Sequence, residues 1–156
     1  MIELNGVRKL VSPAIIAAFE GWNDAGEAAS GVVDHLGMAW EATQIGAIDP
    51  EDYYDFQVTR PVMEVSEGRT DRLVWPTTRL SVATPDAMGR DVVLVHGIEP
   101  NMRWRAFADE LVQSFTDLGA QTVVLLGALL ADSPHTRPVP VAAALPVPVR
   151  RITLGK

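Results

Sequence analysis

Apolar residues along this chain fall into two kinds of pattern. Ala14 to Phe19, Val92 to Val95 and Thr122 to Leu126 are short runs, almost continuously apolar and ended by a polar residue or glycine. Runs that are apolar on both faces suit buried parallel strands. Between them the spacing becomes helical. Ala29, Val32, Val33, Leu36 and Trp40 recur on one stripe, and Trp104, Phe107, Leu111, Phe115 and Leu118 on another. The spacing predicts a helix after each of the first two strands, with Trp40 and Trp104 inside their core stripes. Asp24 with Glu27 fits a capping box at the first helix, and Gly119 fits the residue just past the second.

Two further segments complete the reading. Thr43 to Ile48 is a strand, followed by Asp49-Pro50-Glu51-Asp52, a loop that leads into a short helix. Residues 60–84 contain short extended pieces at Val62 to Val65, Leu73 to Trp75 and Leu80 to Val82, with Glu67-Gly68 as a turn. Pro61, Pro76 and Pro85 punctuate them, which predicts edge strands or a hairpin insertion rather than central strands. Alternating buried strands and helices give an α/β fold with parallel strands at the centre of the sheet and right-handed crossovers.

Composition narrows the functional classes. At 156 residues the chain is one ordinary domain, and 47% apolar with 21% charged residues is a globular balance. A net charge of -7 argues against nucleic acid and against an anionic membrane surface, both of which want a basic face. With no cysteine there is no disulfide framework, thiolate zinc site or cysteine nucleophile. The longest apolar or glycine run, Val123 to Ala131, is too short to span a bilayer, and the N-terminus lacks a signal peptide's regions. A cytoplasmic location fits. Residues 1–136 carry nine basic and twenty acidic groups, whereas after them only Arg137, Arg150, Arg151 and Lys156 are charged. This basic, proline-rich tail, Val139 to Lys156, is expected to be poorly ordered, so the domain is placed at 1–138 and the tail at 139–156.

In open α/β sheets ligands bind outside the carboxyl ends of the parallel strands. Three such ends carry chemistry. The first holds Gly21, Trp22, Asn23 and Asp24; the second His96, Gly97, Glu99 and Pro100, with Arg103 shortly after; the third runs through Gly127 towards His135, Thr136 and Arg137. Together they are the candidate ligand or partner surface. His96 near Glu99 is a candidate acid–base pair, against the plainer reading of a hydrogen-bonded histidine at a strand end. His135 and Arg137 offer an anion site, against simple loop polarity. Asp24 reads first as a helix cap. Trp22 is a possible partner anchor, but the default expectation buries it under the neighbouring helix. The acidic run Asp49, Glu51, Asp52 and Asp55 is a solvated turn rather than a cation site. His35, His96 and His135 have no metal-ligand spacing, and no phosphate loop, dinucleotide fingerprint or serine nucleophile elbow occurs. Hence no catalytic residue, metal or cofactor is assigned.

Three stretches carry a resemblance: Phe19-Glu20-Gly21-Trp22-Asn23-Asp24-Ala25-Gly26, Gly97-Ile98-Glu99-Pro100-Asn101-Met102-Arg103-Trp104, and Asp132-Ser133-Pro134-His135-Thr136-Arg137-Pro138. In this order, over about residues 10–138, the chain resembles the bacterial branch of the proteasome assembly chaperone 2 family. The resemblance implies a three-layer α/β/α sandwich with a mostly parallel sheet, similar to purine nucleoside phosphorylases. It implies homo-oligomers and protein partners, proteasome subunits among them, with no catalytic residues established for the family. The chain departs from the bacterial members, which are longer, and its ending, Thr153-Leu154-Gly155-Lys156, lacks a penultimate tyrosine. A truncated member with exposed sheet edges is therefore expected. The leading functional reading is a non-enzymatic adaptor; the alternative is a binder of, or enzyme acting on, a nucleoside, phosphate or carboxylate at the strand ends.

Overall fold

A five-stranded sheet with one helix on each face frames the computed structural model, which describes residues 2, 8–66, 69–144 and 150–151. In chain order the elements are β1 (Ala14–Glu20), α1 (Ala28–Ala39), β2 (Thr43–Ala47), β3 (Val62–Ser66), β4 (Arg69–Val74), β5 (Arg79–Ala83), β6 (Val92–Ile98), α2 (Trp104–Asp117), β7 (Thr122–Leu125), β8 (Ala142–Ala143) and β9 (Arg150–Arg151). The main sheet has the order β2-β5-β6-β1-β7. β1 runs parallel to β6 and to β7, and β5 runs antiparallel to β6 and to β2. Only β5 is therefore reversed, and the sheet is mostly parallel, as the α/β/α expectation requires.

The period of two along β1 and β6 divides the core. Ile15, Ala17, Val93 and Val95 face α2, where Phe107, Leu111 and Leu118 join them. Ala18, Val92 and Leu94 face α1 and pack with Ala29 and Val33. Strands covered on both sides have no polar face to show, which explains their continuous apolar runs. Gly119, with φ of 74°, takes the left-handed conformation that ends α2, as its position predicted.

Several expectations are corrected. β5 is an interior strand, not an edge or part of an insertion, and its Leu80 is fully buried. Its prolines, Pro76 and Pro85, lie outside Arg79–Ala83 and so remove no ladder hydrogen bond. The hairpin is confined to β3 and β4; its Glu67-Gly68 turn lies outside the described residues. β7, expected to be buried, is an edge strand with every residue exposed. Val32 and Trp104 are exposed although their spacing placed them on core stripes, because each helix buries a narrower stripe than periodicity alone suggests. In the tail, β8 pairs with β9, and most of the expected poorly ordered stretch lies outside the described residues.

At the amino end of the sheet, Asp91 is fully buried and accepts hydrogen bonds from Arg8 (2.6 and 3.0 Å), Thr84 (2.7 Å) and the Val11 N–H (2.6 Å). The Arg8 guanidinium outweighs burial, and with the other donors it holds the carboxyl at about 2.

Candidate functional site

The loop after β1 is built around Asp24. Its carboxylate accepts from the N–H groups of Ala29 (2.7 Å) and Ser30 (3.2 Å) and from the Ser30 hydroxyl (2.5 Å). The cap predicted from sequence is present but displaced. A turn of 3-10 helix, Ala25–Glu27, lies between Asp24 and α1, and Glu27 takes a positive φ of 55° rather than closing a capping box. Burial pushes the Asp24 carboxyl up, but the bonds from Ser30 and Ala29 outweigh it and hold it below the usual range. The same loop is pinned to the end of β7: Ala25 N–H donates to the Ala128 carbonyl and Ala128 N–H to that of Asn23, both at 2.9 Å.

Two glycines let side chains close in. Gly21, at φ of 134°, lies so near Glu99 that a Cβ there would sit 2.9 Å from Oε2. A Cβ on Gly127 would lie 2.9 Å from Cγ of Asn23. Both positions need glycine for close approach. Beside them, on the α2 face, opens a groove of about 280 Å³ lined by Phe19, Asn23, Glu99, Trp104, Leu111 and Leu125, among others. Its wall is mainly apolar, with Asn23 and Glu99 supplying polar groups. Trp22, next in the chain to Asn23, is 90% exposed. Its expected burial under the neighbouring helix does not occur: α1 begins only at Ala28, so the intervening turn carries Trp22 clear of it.

The structure thus brings together Gly21, Asn23, Glu99 and Pro100 from two strand ends, with Trp22 beside them. Other candidates go elsewhere. His96 shares the α1 face with Leu94; its Nε2 lies 3.1 Å from Glu20 Oε1 and its Nδ1 2.7 Å from Asp34 Oδ1. Glu99 lines the groove on the opposite face, so the candidate acid–base pair does not form, and the histidine is held between β1 and α1. Gly97 lies against Thr78, whose Cα would be 2.8 Å from an added Cβ, and is there for packing. His135, Thr136 and Arg137 form an exposed turn, with the Arg137 N–H donating to the Pro134 carbonyl at 2.9 Å, and do not line this groove.

Arg103 has a structural partner. It pairs with Asp52 and lies over the Tyr53 ring, 5.6 Å from its centre. Tyr53 packs edge-on against Phe107 at 5.3 Å and donates its hydroxyl to Glu110 at 2.5 Å. Burial, then that carboxylate, pushes its phenol up to about 12. Asn101 and Met102 donate their N–H groups to the Tyr53 carbonyl (2.9 and 3.2 Å), so the acidic turn is strapped to the start of α2. Sequence reasoning missed this strap and missed Trp104 and Leu125 as groove walls. The signal for the groove was present in part, as an aromatic at the first turn of α2. Among the described residues no group of acidic residues or histidines is placed to hold a metal, and no helix is long and apolar enough to cross a membrane.

The chain is thus a three-layer α/β domain with an apolar groove and an exposed tryptophan at its strand ends. The family model described as PAC2 family matches residues 18–151, and the chain belongs to that family. The match runs past Pro138, where the three motifs end. A proteasome-assembly chaperone homologue from Mycobacterium tuberculosis is 56% identical, with a TM-score of 0.79 over 84% of this chain and 56% of that one. A PAC2 family protein from Streptomyces avermitilis is 54% identical, with a TM-score of 0.81 over 87% of this chain and 58% of that one. A protein of unknown function from Corynebacterium glutamicum has the same fold at 25% identity, with a TM-score of 0.79 over 92% of this chain and 56% of that one. This chain therefore spans little more than half the length of these structures. No curated protein matches it.

Proposed function

We propose that this chain is a non-enzymatic adaptor of the proteasome-assembly-chaperone type, which binds protein partners through its strand-end loop in the cytoplasm. The observation that carries the reading is Trp22, 90% exposed on a loop pinned from both sides and set beside an apolar groove. A rigid exposed aromatic next to apolar surface is the form of a protein-binding hot spot. The mainly apolar wall supports a protein partner over a nucleoside or phosphate, whose polar groups would find only Asn23 and Glu99 there. The relative from Mycobacterium tuberculosis, described as a proteasome-assembly chaperone homologue, supports proteasome subunits as the partner. Self-association is part of the same reading, and sedimentation of the purified chain measures it.

Binding of purified proteasome α-subunits to the immobilised chain tests the proposal. Trp22→Ala is expected to weaken binding at least about tenfold, roughly 1.4 kcal/mol. Absence of binding by the unaltered chain, or equal binding by the variant, rejects this reading. A thermal shift with nucleosides or phosphate that survives Trp22→Ala would move the function to a small ligand.

A further inference from the structure

On its α1 face the sheet is covered unevenly. α1 packs on β1 and β6, where Ala29 and Val33 meet Ala18, Val92 and Leu94. Between the C-terminal half of α1 and β5 lies a cavity of about 340 Å³. The antiparallel register sets Arg79 opposite His96 and Ser81 opposite Leu94. Opposed residues share a face, so these four side chains line the cavity floor together. From the helix comes Asp34, whose Oδ1 lies 2.7 Å from His96 Nδ1. Met38, Ala42 and Leu94 make the apolar wall. Among the described residues, neither Asp34 Oδ2 nor the Arg79 guanidinium has a hydrogen-bond partner. Glu64, which feels the Arg79 charge, is bonded to Arg72 instead, at 2.7 Å. The cavity therefore offers one free acceptor of negative charge, one free cationic fork, a hydroxyl and an apolar surface. A simple anion in it would meet Asp34, and a simple cation would meet Arg79. A ligand that carries both signs satisfies both.

We infer that this cavity is a binding site for a free α-amino acid with an apolar side chain. Its carboxylate takes the Arg79 fork and the Ser81 hydroxyl. Its ammonium donates to the open oxygen of Asp34, and its side chain lies on Met38, Ala42 and Leu94. The site is on the opposite face of the sheet from the strand-end groove, so the inference does not rest on the adaptor reading.

The test titrates L-leucine into the isotope-labelled chain and follows the amide shifts of Gly37, Met38 and Ser81 by NMR. Saturation with a Kd of about 1 mM is expected, the scale for so small a ligand at a partly solvated site. Isocaproate, which lacks the ammonium, and isoamylamine, which lacks the carboxylate, are each expected to bind at least about tenfold more weakly. Arg79→Gln should bring leucine down to the level of isoamylamine, and Asp34→Asn to that of isocaproate. Both side chains are largely exposed, so the variants keep the fold, and their amide spectra check it. The comparison of the three ligands needs no variant. No saturable shift up to about 50 mM leucine, fifty times the expected Kd, overturns the inference. So does equal binding by either singly charged analogue, or an unchanged leucine affinity in folded Arg79→Gln.

Discussion

Asp24 and Asp91 are both buried carboxylates, and their partners give them different kinds of work. Asp24 satisfies two backbone N–H groups and a hydroxyl at the start of α1. Asp24→Ala leaves those donors buried, and urea denaturation should show a loss of roughly 2 kcal/mol, the upper range for a cap. Asp24→Asn keeps an acceptor and should recover part of that. Asp91 is tied to Arg8, and its carboxyl lies at about 2 in the fold, against about 3.9 in an unfolded chain. A depressed carboxyl stabilises the fold above the unfolded value and loses that contribution as pH falls through the folded one. Stability should therefore be flat above about pH 5 and fall between about pH 4 and pH 2. The tie accounts for at most roughly 2 kcal/mol, because Arg8 is half exposed and screened. Denaturation of Asp91→Asn across that range should show a shallower fall. A parallel fall in the variant would assign the acid sensitivity to other carboxylates.

Each strand owes its place to what covers its faces. β1 and β6 are apolar on both faces because a helix lies on each side, and their runs were legible for that reason. β5 was misread because flanking prolines resemble interruptions when the strand limits are unknown. β6 and the stretch before β5 meet so closely that Gly97 touches Thr78. Gly97→Ala forces a Cβ to within 2.7 Å of Thr78 Cβ, close to backbone that has no room to give. The expected cost is about 3 kcal/mol, read as a lowered thermal midpoint. A midpoint equal to that of the unaltered chain would show that β5 shifts to admit the methyl group. His96 is the clearest case of a residue whose partner sequence distance hides. Glu99 is near in the chain but on the other face, whereas Glu20 and Asp34 are far in the chain and in contact.

At the scale of the molecule, the sheet of the described residues ends on one side with a bulge and on the other with an apolar edge strand, β7. Leu125 is 64% exposed, so Leu125→Asp in this chain alone should change stability by no more than about 0.5 kcal/mol. Chemical denaturation of the purified variant checks this. Trp22 belongs to the same scale: its exposure contributes nothing to the fold, and its replacement should alter partner binding while leaving the melt unchanged.

The sequence by itself determined the order of elements, the α/β class and the family. These depend on local periodicity, caps, turn residues and short motifs, all of which are written along the chain. It also placed Asp24 at the start of a helix and Gly119 at the end of one. Tertiary structure alone decided that β5 is interior, that β7 is an edge strand among the described residues, that Trp22 and Trp104 face outward, and that Asn23 and Glu99 share a groove while His96 does not. The reason is physical. Burial and pairing depend on which distant segment covers a surface, and a run such as Thr122 to Leu126 reads the same whether a neighbour covers it or none does.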